Sequence, residues 1–343
     1  MFEIEFYQLP NGTKPAEEFL DSLDTKMRAK ALHSLSILEE FGNQLREPYS
    51  KQLEDGLFEL RIKFASDISR LFYFFVVNHT IVITNGFVKK AGGAPANVAS
   101  AISKLGAEAY FAGTVGKDAF GAFIETTLKA NNINTSLLFK LENHSTTLAF
   151  VSLMEDGERD FEFARDADSL LSIDMFKDKL ECFDLFHFGS ATAFLEGELK
   201  KTYYKLKEYA VENNKLITFD ANYRESLFSD KKEEFIKSSI DFIKDSNIVK
   251  LSEEEVFLIS GKDDLYEAVD NIVKLGCENL IVTLGKDGAL VATKEYKEVI
   301  KTIPMQMKDA TGAGDAFIGA VISQILINSN KDIRDIVRYA NIV

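Results

Sequence analysis

The chain has 343 residues, 46% hydrophobic and 27% charged, which is ordinary for a globular protein of one large domain or two smaller ones. A net charge of −14 argues against a general DNA- or RNA-binding protein, and no apolar run approaches the roughly 18 residues of a membrane span. Two cysteines far apart and an acidic, alternating start without a signal peptide predict buried free thiols and a cytoplasmic location.

The first 90 residues predict a small α+β domain. Phe2–Tyr7 alternates polar and apolar residues as a strand does, and apolar residues recur at helical spacing over residues 15–42. Three β-rich runs then follow one another across short turns, at Leu57–Lys63, Arg70–Val77 and Thr80–Val88. Helices packed against such an antiparallel meander form a self-contained domain.

The same segment resembles the phage-type HigB toxins of the RelE superfamily. The matching phrases cover almost all of it, at residues 9–12, 38–42, 46–51, 56–61 and 86–90 (LPNG, LEEFG, REPYSK, GLFELR and GFVKK). The resemblance implies cleavage of mRNA on the ribosome, or binding of an antitoxin, through phosphate contacts and a stacking aromatic ring. The residues that it implicates are Lys51, Arg61, Arg70, Lys89 and Lys90, with Tyr73 as the aromatic partner. Solvated charges at strand edges are the alternative, and with 11 Lys and Arg against 13 Asp and Glu this segment is not basic as a whole.

At residue 91 the sequence changes character and becomes a succession of strands and helices. The motif Gly92–Asn97 (GGAPAN) allows a close backbone approach at its glycines and starts a helix at Pro95. Asn97 then lies in the first turn, where its amide can bind a polyol or its own backbone. Alternating strands and helices predict βαβ units with a parallel sheet. Strands are predicted at residues 107–115, 145–154, 184–188, 216–220, 248–251 and 279–283, and helices at residues 198–212 and 263–275 among others.

Three of these strands end in polar residues, at the sheet edge where open α/β folds bind ligands. Asp220, Asn222 and Arg224 follow one strand and combine carboxylate, amide and guanidinium groups, with a capped loop as the alternative. Glu255 opens a helix after the next strand, either as a metal-binding carboxylate or as an ordinary first-turn acid. Thr283–Gly288 (TLGKDG) forms a turn whose glycines leave room for a nucleotide, although a plain β-turn has the same composition.

Residues Asp309–Phe317 (DATGAGDAF) carry the strongest chemical signal of the chain. Glycines on both sides of Ala313, followed by an apolar run of helical length, predict backbone N–H groups gathered around an anion at a helix N-terminus. An acid at this place would repel a bound phosphate. Asp315 makes sense as a base that takes a proton from an attacking hydroxyl while those N–H groups stabilise the transferred phosphoryl. A glycine turn capped by Asp315 is the plain alternative.

Taken together, these motifs resemble the PfkB, ribokinase-like carbohydrate kinases, and among them the fructokinase branch. Besides Gly92–Asn97 and Asp309–Phe317, residues 113–121 (GTVGKDAFG), 166–168 (DAD) and 219–224 (FDANYR) agree in order and spacing. The resemblance implies an α/β fold with a parallel-rich sheet flanked by helices and a small β lid. It also implies phosphorylation of a hydroxyl of fructose or a similar sugar by ATP.

The resemblance further assigns roles to individual residues, with Asp315 as the base. Mg²⁺ is expected to bind through water to Glu255, and backbone carbonyls of Asp309 and Thr311 to hold a monovalent cation such as K⁺. The remaining implied residues are Gly312, Ala313 and Gly314 as an anion hole, Gly92, Gly93, Asn97 and Arg165 at the sugar, and Asp220, Asn222, Arg224, Thr283, Gly285 and Gly288 at the nucleotide.

These resemblances divide the chain into a toxin-like domain, residues 1–90, and a kinase domain, residues 91–343. Family members carry a further strand before the Gly-Gly motif and further elements after the last helix, so an incomplete kinase fold is expected, with the helix from Pro95 usable by either part. Three functions stay open: a sugar kinase, a ribosome-dependent mRNA interferase or antitoxin-binding module, and an inactive fusion remnant. The oligomeric state is left open, a homodimer being one alternative.

Overall fold

The computed structural model describes residues 2–54, 56–64, 67–76, 80–89, 91–153, 159–303, 312–328 and 331–343. The chain divides into two compact units, residues 1–91 and residues 92–343, at the point where the sequence changes character. Both cysteines are free: Cys277 is buried as expected, whereas Cys182 is exposed. No helix within the described ranges combines the length and the apolar character needed to cross a membrane.

The first unit is a five-stranded sheet packed against two helices. The strands are β1 (Glu3–Phe6), β2 (Ser50–Glu54), β3 (Leu57–Phe64), β4 (Asp67–Val76) and β5 (Thr80–Lys89), and the helices are α1 (Pro15–Ser22) and α2 (Thr25–Phe41). The spatial order is β1-β5-β4-β3-β2, with β1 parallel to β5 and the other neighbours antiparallel. The β3-β4-β5 meander is the one that the three β-rich runs predict, and β1 and β2 extend it at both edges.

Alternation along the strands gives this sheet one buried and one open face. Leu60 and Ile62 of β3 are buried in one core with apolar residues of α1 and α2 such as Leu20 and Leu38. Because successive side chains of a strand point to opposite faces, the side chain of Arg61 lies on the face away from the helices.

The second unit is built on a six-stranded sheet with two smaller sheets beside it in the described part of the chain. The smaller sheets are the parallel pair β6 (Gly113–Gly116) and β7 (Leu138–Leu141) and the antiparallel pair β8 (Leu148–Leu153) and β9 (Arg159–Ala164). The main sheet contains β10 (Leu185–Gly189), β11 (Leu216–Asp220), β12 (Ile248–Ser252), β13 (Asn279–Thr283), β14 (Ala289–Ala292) and β15 (Lys297–Ile300). Its spatial order follows the sequence; β10 to β13 are parallel, and β14 and β15 are antiparallel to their neighbours.

Helices cover both faces of the main sheet. They are α3 (Ala94–Lys104), α4 (Ala119–Ala130), α5 (Glu198–Glu212), α6 (Glu225–Phe228), α7 (Lys232–Asp245), α8 (Glu253–Ser260), α9 (Leu265–Lys274), α10 (Ala313–Ile327) and α11 (Ile333–Ala340). Apolar residues of α5, α7, α8 and α9 share one core, and those of α3, α10 and α11 share another. A strand with buried neighbours on both faces is apolar throughout, which explains the continuous apolar runs of β11 to β13.

Most predicted strands are present, and two of them are shorter than expected. The run at residues 107–115 forms a strand only from Gly113, because Tyr110 makes no more than an isolated bridge with Asn134. The run at residues 145–154 narrows to β8, and Met154 lies outside the described residues. β8 and β9 form a separate antiparallel pair, as the resemblance implies for a small lid.

Candidate active site

The site is organised around the first turn of α10, at the edge of the sheet where β11, β12 and β13 end. Gly312 precedes the helix with a φ of 77°, a left-handed conformation that glycine adopts without steric cost. The first intrahelical bond runs from the Ala316 N–H to the Gly312 carbonyl at 2.8 Å. The N–H groups of Ala313, Gly314 and Asp315 therefore precede the hydrogen-bonded turns, at the positive end of the helix dipole, where an anion is favoured. Asp309 and Thr311, the expected cation ligands, lie outside the described residues.

Two amide side chains from distant parts of the chain hold the Asp315 carboxylate. Asn97 Nδ2, from the first turn of α3, donates to Asp315 Oδ2 at 2.9 Å. Asn222 Nδ2, from the loop after β11, donates to Asp315 Oδ1 at 3.3 Å. Asp315 is 8% exposed, and each carboxylate oxygen keeps a further lone pair for a ligand. The carboxylate is thus fixed in orientation yet still able to accept a proton.

Asn222, predicted to contact the nucleotide, lies on the wall of a cavity beside Asp315. Its backbone adopts a φ of 46°, and the residue is 5% exposed. While Nδ2 donates to Asp315, the buried Oδ1 has no hydrogen-bond partner among the described residues. A buried acceptor without a donor is costly, so an atom in this position is well suited to a ligand hydroxyl or a cation.

Lys250 of β12 is a site residue that sequence reasoning missed. Its Nζ lies 3.2 and 3.1 Å from the two carboxylate oxygens of Asp220, and both residues are buried. Burial lowers the pKa of Lys250. The nearby carboxylates of Asp220, Glu255 and Asp315 raise this pKa by more than burial lowers it, so the net shift is upward. Burial raises the pKa of Asp220 to about 6, against the opposing effect of Lys250. A lysine inside an otherwise apolar, buried strand was the available signal for this residue.

Glu255 is held by the backbone on both of its carboxylate oxygens. Oε2 accepts from the Ser252 N–H at 2.7 Å in a capping box at the start of α8, and Oε1 accepts from the Tyr223 N–H at 2.8 Å. Glu255 therefore ties the loop after β11 to the start of α8. No group of three or more His, Cys, Asp and Glu side chains suited to a metal ion occurs in the described ranges. Water contacts from Glu255, with phosphate oxygens completing the shell, remain compatible with Mg²⁺.

These groups line one open cavity of about 560 Å³, a size suited to a small-molecule ligand. Its wall includes Gly312, Gly314 and Asp315, together with Asn222, Arg224, Lys250 and Glu255. The cavity therefore combines the N–H array of α10, a held carboxylate, an orphaned amide oxygen and cationic groups. An anionic ligand that also presents hydroxyl groups fits this donor set.

The predicted nucleotide turn after β13 is not part of this wall. Thr283 Oγ1 donates to the Leu251 carbonyl at 3.4 Å, which ties the end of β13 to β12. At Gly288, with a φ of 98°, an added Cβ would lie 2.1 Å from the Ile300 carbonyl oxygen, so the close approach of β15 already requires glycine. Gly285, by contrast, has open space around its Cα. For Gly288 the plain turn is thus a sufficient explanation.

The other predicted sugar contacts lie at two further places. Gly92 and Gly93 immediately precede α3 with open space around both, and Gly93 has a φ of 109°. Arg165 follows β9 and pairs through Nε with Asp168 at 3.0 Å, while its buried Nη2 has no partner among the described residues. Neither the glycines nor Arg165 lines the cavity around Asp315.

Three of the predicted toxin-like residues share the open face of the first unit. Lys51 lies opposite Glu59, and Arg61 lies opposite Arg70. Glu59 accepts from Arg61 Nε at 2.6 Å and pairs with Arg70 Nε at 3.2 Å, so one carboxylate offsets two facing guanidinium groups. Tyr73 is only 1% exposed, which rules out the predicted stacking on RNA in this conformation.

Tyr73 and the consecutive lysines Lys89 and Lys90 are the other members of the predicted toxin-like set. The hydroxyl of Tyr73 lies 2.6 Å from the Ser50 hydroxyl inside the core of the first unit, so this hydrogen bond satisfies the buried phenol. Only the backbone of Lys89 is described, and Lys90 lies outside the described residues. The structure thus brings Lys51, Arg61 and Arg70 together, and Tyr73 lies on the other side of the sheet.

Sequence and structure comparisons define the class of the protein. The model of the pfkB family of carbohydrate kinases matches residues 67–343, and the chain belongs to this family. Its relatives include probable fructokinase-4 of Arabidopsis thaliana, 35% identical over 265 residues that cover 75% of this chain and 81% of the relative. Fructokinase-1 of Oryza sativa subsp. japonica is 33% identical, with coverage of 74% and 81%.

Solved structures agree with the ribokinase-like fold of the second unit. A fructokinase from Vibrio cholerae O395, bound to fructose, ADP and a calcium ion, has a TM-score of 0.65 and 29% identity, covering 74% of this chain and 84% of that one. A putative ribokinase II from E. coli, in complex with ATP and Mg²⁺, has a TM-score of 0.65 and 25% identity, with coverage of 74% and 82%. A second family model, that of phage-derived protein Gp49-like, matches residues 18–105. The two family matches thus overlap from β4 to α3.

Proposed function

We propose that the second unit is an ATP-dependent sugar kinase with Asp315 as the general base. The observation that carries the proposal is the Asp315 carboxylate, held by Asn97 and Asn222 beside the N–H groups that open α10, which have no hydrogen-bond partner within the described part of the chain. A positioned carboxylate next to an anion site is the combination that transfer of a phosphoryl group to a hydroxyl requires. The fructokinases among the relatives and solved structures make fructose the first sugar to test.

The chemistry follows from the positions of these groups. An oxygen of Asp315 takes the hydroxyl proton of the sugar as the sugar oxygen forms a bond to the γ-phosphorus of ATP. The bond between this phosphorus and the bridging oxygen breaks, and ADP leaves with the electron pair. The N–H groups of Ala313, Gly314 and Asp315 stabilise the charge on the transferred group. Mg²⁺, which the putative ribokinase II binds together with ATP, would offset phosphate charge, with Glu255 the residue able to hold its water.

The Asn222 loop supports the same assignment. Its orphaned Oδ1 offers an acceptor to a substrate hydroxyl or to a cation-bound water, and Arg224 on the cavity wall adds a cation for phosphate. We therefore propose Asn97 and Asn222 as positioning residues for the base. The remaining residues implied by the resemblance keep their expected roles as proposals: Gly92, Gly93 and Arg165 at the sugar, and Thr283, Gly285 and Gly288 at the nucleotide.

A coupled assay of ADP release tests the proposal on the purified full chain. Sugar-dependent ADP release is expected with fructose, and glucose and ribose serve as alternative acceptors. Asp315→Asn should lower kcat by a factor on the order of 100 or more, since general-base catalysis contributes about that much. Asp263→Asn, an exposed acid away from the site, is the matched control and should leave kcat unchanged. Equal activity of Asp315→Asn and wild type would contradict the assignment of the base.

A second function has one observation in its favour, the shared open face of Lys51, Arg61 and Arg70 in the first unit. We propose this face as the place where RNA or an antitoxin would bind, in a domain of residues 1–90. Growth arrest on expression of the full chain, lost in Arg61→Ala, would support an mRNA interferase. Normal growth together with normal kinase activity would argue against a toxin, and failure of both assays would leave the inactive fusion remnant.

A further inference from the structure

Lys250 occupies a place that its ion pair alone does not explain. On one side its Nζ contacts both carboxylate oxygens of Asp220, at 3.2 and 3.1 Å. On the other side an ideal Cβ on Gly314 would lie only 3.1 Å from Nζ, so the ammonium lies directly against the first turn of α10. Both Lys250 and Gly314 line the cavity, whereas Asp220 does not. The ammonium therefore separates a buried carboxylate from the anion site.

The charges around Lys250 also indicate a role beyond its ion pair with Asp220. One ammonium interacts with three carboxylates, those of Asp220, Glu255 and Asp315, and its net pKa shift is upward. An ammonium group has three N–H donors, and in the described part of the chain the hydrogen bonds of Nζ go to Asp220 alone. A donor thus remains for a ligand in the cavity. Burying a charge is costly, and a lysine needed only to neutralise an acid could be replaced by a neutral pair.

We propose that Lys250 is a catalytic residue whose ammonium contacts the phosphoryl group during its transfer. This inference rests on the proposed kinase function and deepens it. As the sugar oxygen bonds to the γ-phosphorus and the bond to the ADP oxygen breaks, negative charge spreads over the equatorial oxygens of the transferred group. Lys250 approaches these oxygens beside the Gly314 N–H and keeps its own protons throughout, while Asp315 takes the hydroxyl proton. A charged donor in a buried site is stronger than a neutral N–H group.

The alternative is that Lys250 only neutralises Asp220, and a neutral pair distinguishes the two roles. Asp220→Asn combined with Lys250→Met removes both charges, so a purely structural ion pair would be lost without an unpaired charge. Lys207→Met combined with Asp245→Asn removes a second ion pair, between a buried lysine and an exposed aspartate away from the cavity, and is the control. Circular dichroism checks the folding of each double variant. If the variant with Asp220→Asn and Lys250→Met does not fold, the variant with Asp220→Asn and Lys250→Gln takes its place.

Two measurements are made on each full-length variant in the presence of Mg²⁺. Steady-state kinetics give kcat with fructose and ATP, and calorimetry gives the Kd of ADP and of the non-hydrolysable ATP analogue AMP-PNP. In the Asp220/Lys250 pair we expect kcat to fall by a factor on the order of 100 relative to Asp220→Asn, as on loss of a transition-state donor. We also expect AMP-PNP binding to weaken about tenfold with the Kd of ADP unchanged. The control pair should keep wild-type kcat and both affinities.

The outcomes separate this inference from the proposed function. If the wild type turns over and the Asp220/Lys250 double variant has the same kcat and the same two affinities as Asp220→Asn, the proposed role of Lys250 is overturned. The kinase proposal then stands. Absence of sugar-dependent ADP release, with selective loss of AMP-PNP affinity in that pair, overturns the kinase proposal and supports the γ-phosphate contact of Lys250. Absence of any nucleotide binding by the wild type overturns both.

Discussion

Replacement of Asn97 tests whether the amides that hold Asp315 act on the chemical step. Asn97→Ala removes a bond of 2.9 Å to Oδ2, whereas Asn222→Ala removes a longer bond of 3.3 Å to Oδ1. A hydrogen bond to a charged group contributes about 1.5–3 kcal/mol when well made, and less as it lengthens. If about 2 kcal/mol of the Asn97 bond orients the base in the transition state, kcat should fall about 30-fold. The Asn222 variant should lose about 5-fold by the same reasoning.

The assay is steady-state kinetics with fructose and ATP, in which kcat and the KM of each substrate are separated. Asn97→Asp is a second variant: it is almost isosteric and places a second carboxylate beside Asp315, so kcat should fall further than in Asn97→Ala. Ser100→Ala, one turn along α3, is the control: it removes a hydroxyl that donates to the Ala96 carbonyl at 2.8 Å and accepts from Asn131 Nδ2 at 3.4 Å, without contact to Asp315. A rise in the KM of fructose with unchanged kcat would refute positioning and leave Asn97 as a sugar contact alone.

Two further predictions concern stability, followed by urea denaturation. Gly288→Ala should lower the free energy of unfolding by about 3 kcal/mol or more, because its Cβ would meet the Ile300 carbonyl oxygen at 2.1 Å with a φ of 98°. Gly285→Ala, with a φ of 57° but open space, should lose only about 1 kcal/mol, and equal losses would contradict the packing argument. The raised pKa of Asp220, about 6 in the folded chain against 3.8, makes the native state bind the extra proton between these values. Stability should therefore fall by about 2 kcal/mol as the pH rises from 4 to 7, relative to Asp220→Asn, and a constant difference would refute the shift.

Local patterns in the sequence were enough for many elements of both units, although β2, β7, β9 and β15 were not predicted. The periodicities of two and 3.6 residues arise from single strands and helices, so β3 to β5 and β10 to β13 follow from neighbouring residues alone. The predicted ends of strands were wrong where pairing with another strand decides them. β6 begins only at Gly113, because the residues before it make no strand pairing beyond one isolated bridge. The glycine turn before α10 was also predictable, because a left-handed residue and an apolar helix leave a local signature.

The chemistry of the site was predictable in part. Asp315 and Asn97 were identified separately, through motifs 218 residues apart, but their 2.9 Å contact belongs to the packing of α3 against α10. Tyr73 was expected to stack on RNA; the alternation of β4 instead turns its ring into the core. Gly288 was expected beside a nucleotide, and the approach of β15 gives a sufficient reason for its glycine. In each case the sequence singled out a residue, and the packing of other elements around it decided its surroundings.

The sequence by itself determined the family, the order of many elements and the residues proposed to hold a phosphoryl group and take a proton. Only the tertiary structure decided how these residues cooperate. Asn222 reaches Asp315 across 93 residues, and Lys250 meets Asp220 across 30 because parallel strands β11 and β12 end side by side. The physical reason is that local backbone preferences extend over a few residues, whereas the charge balance of a buried site depends on every element that ends there.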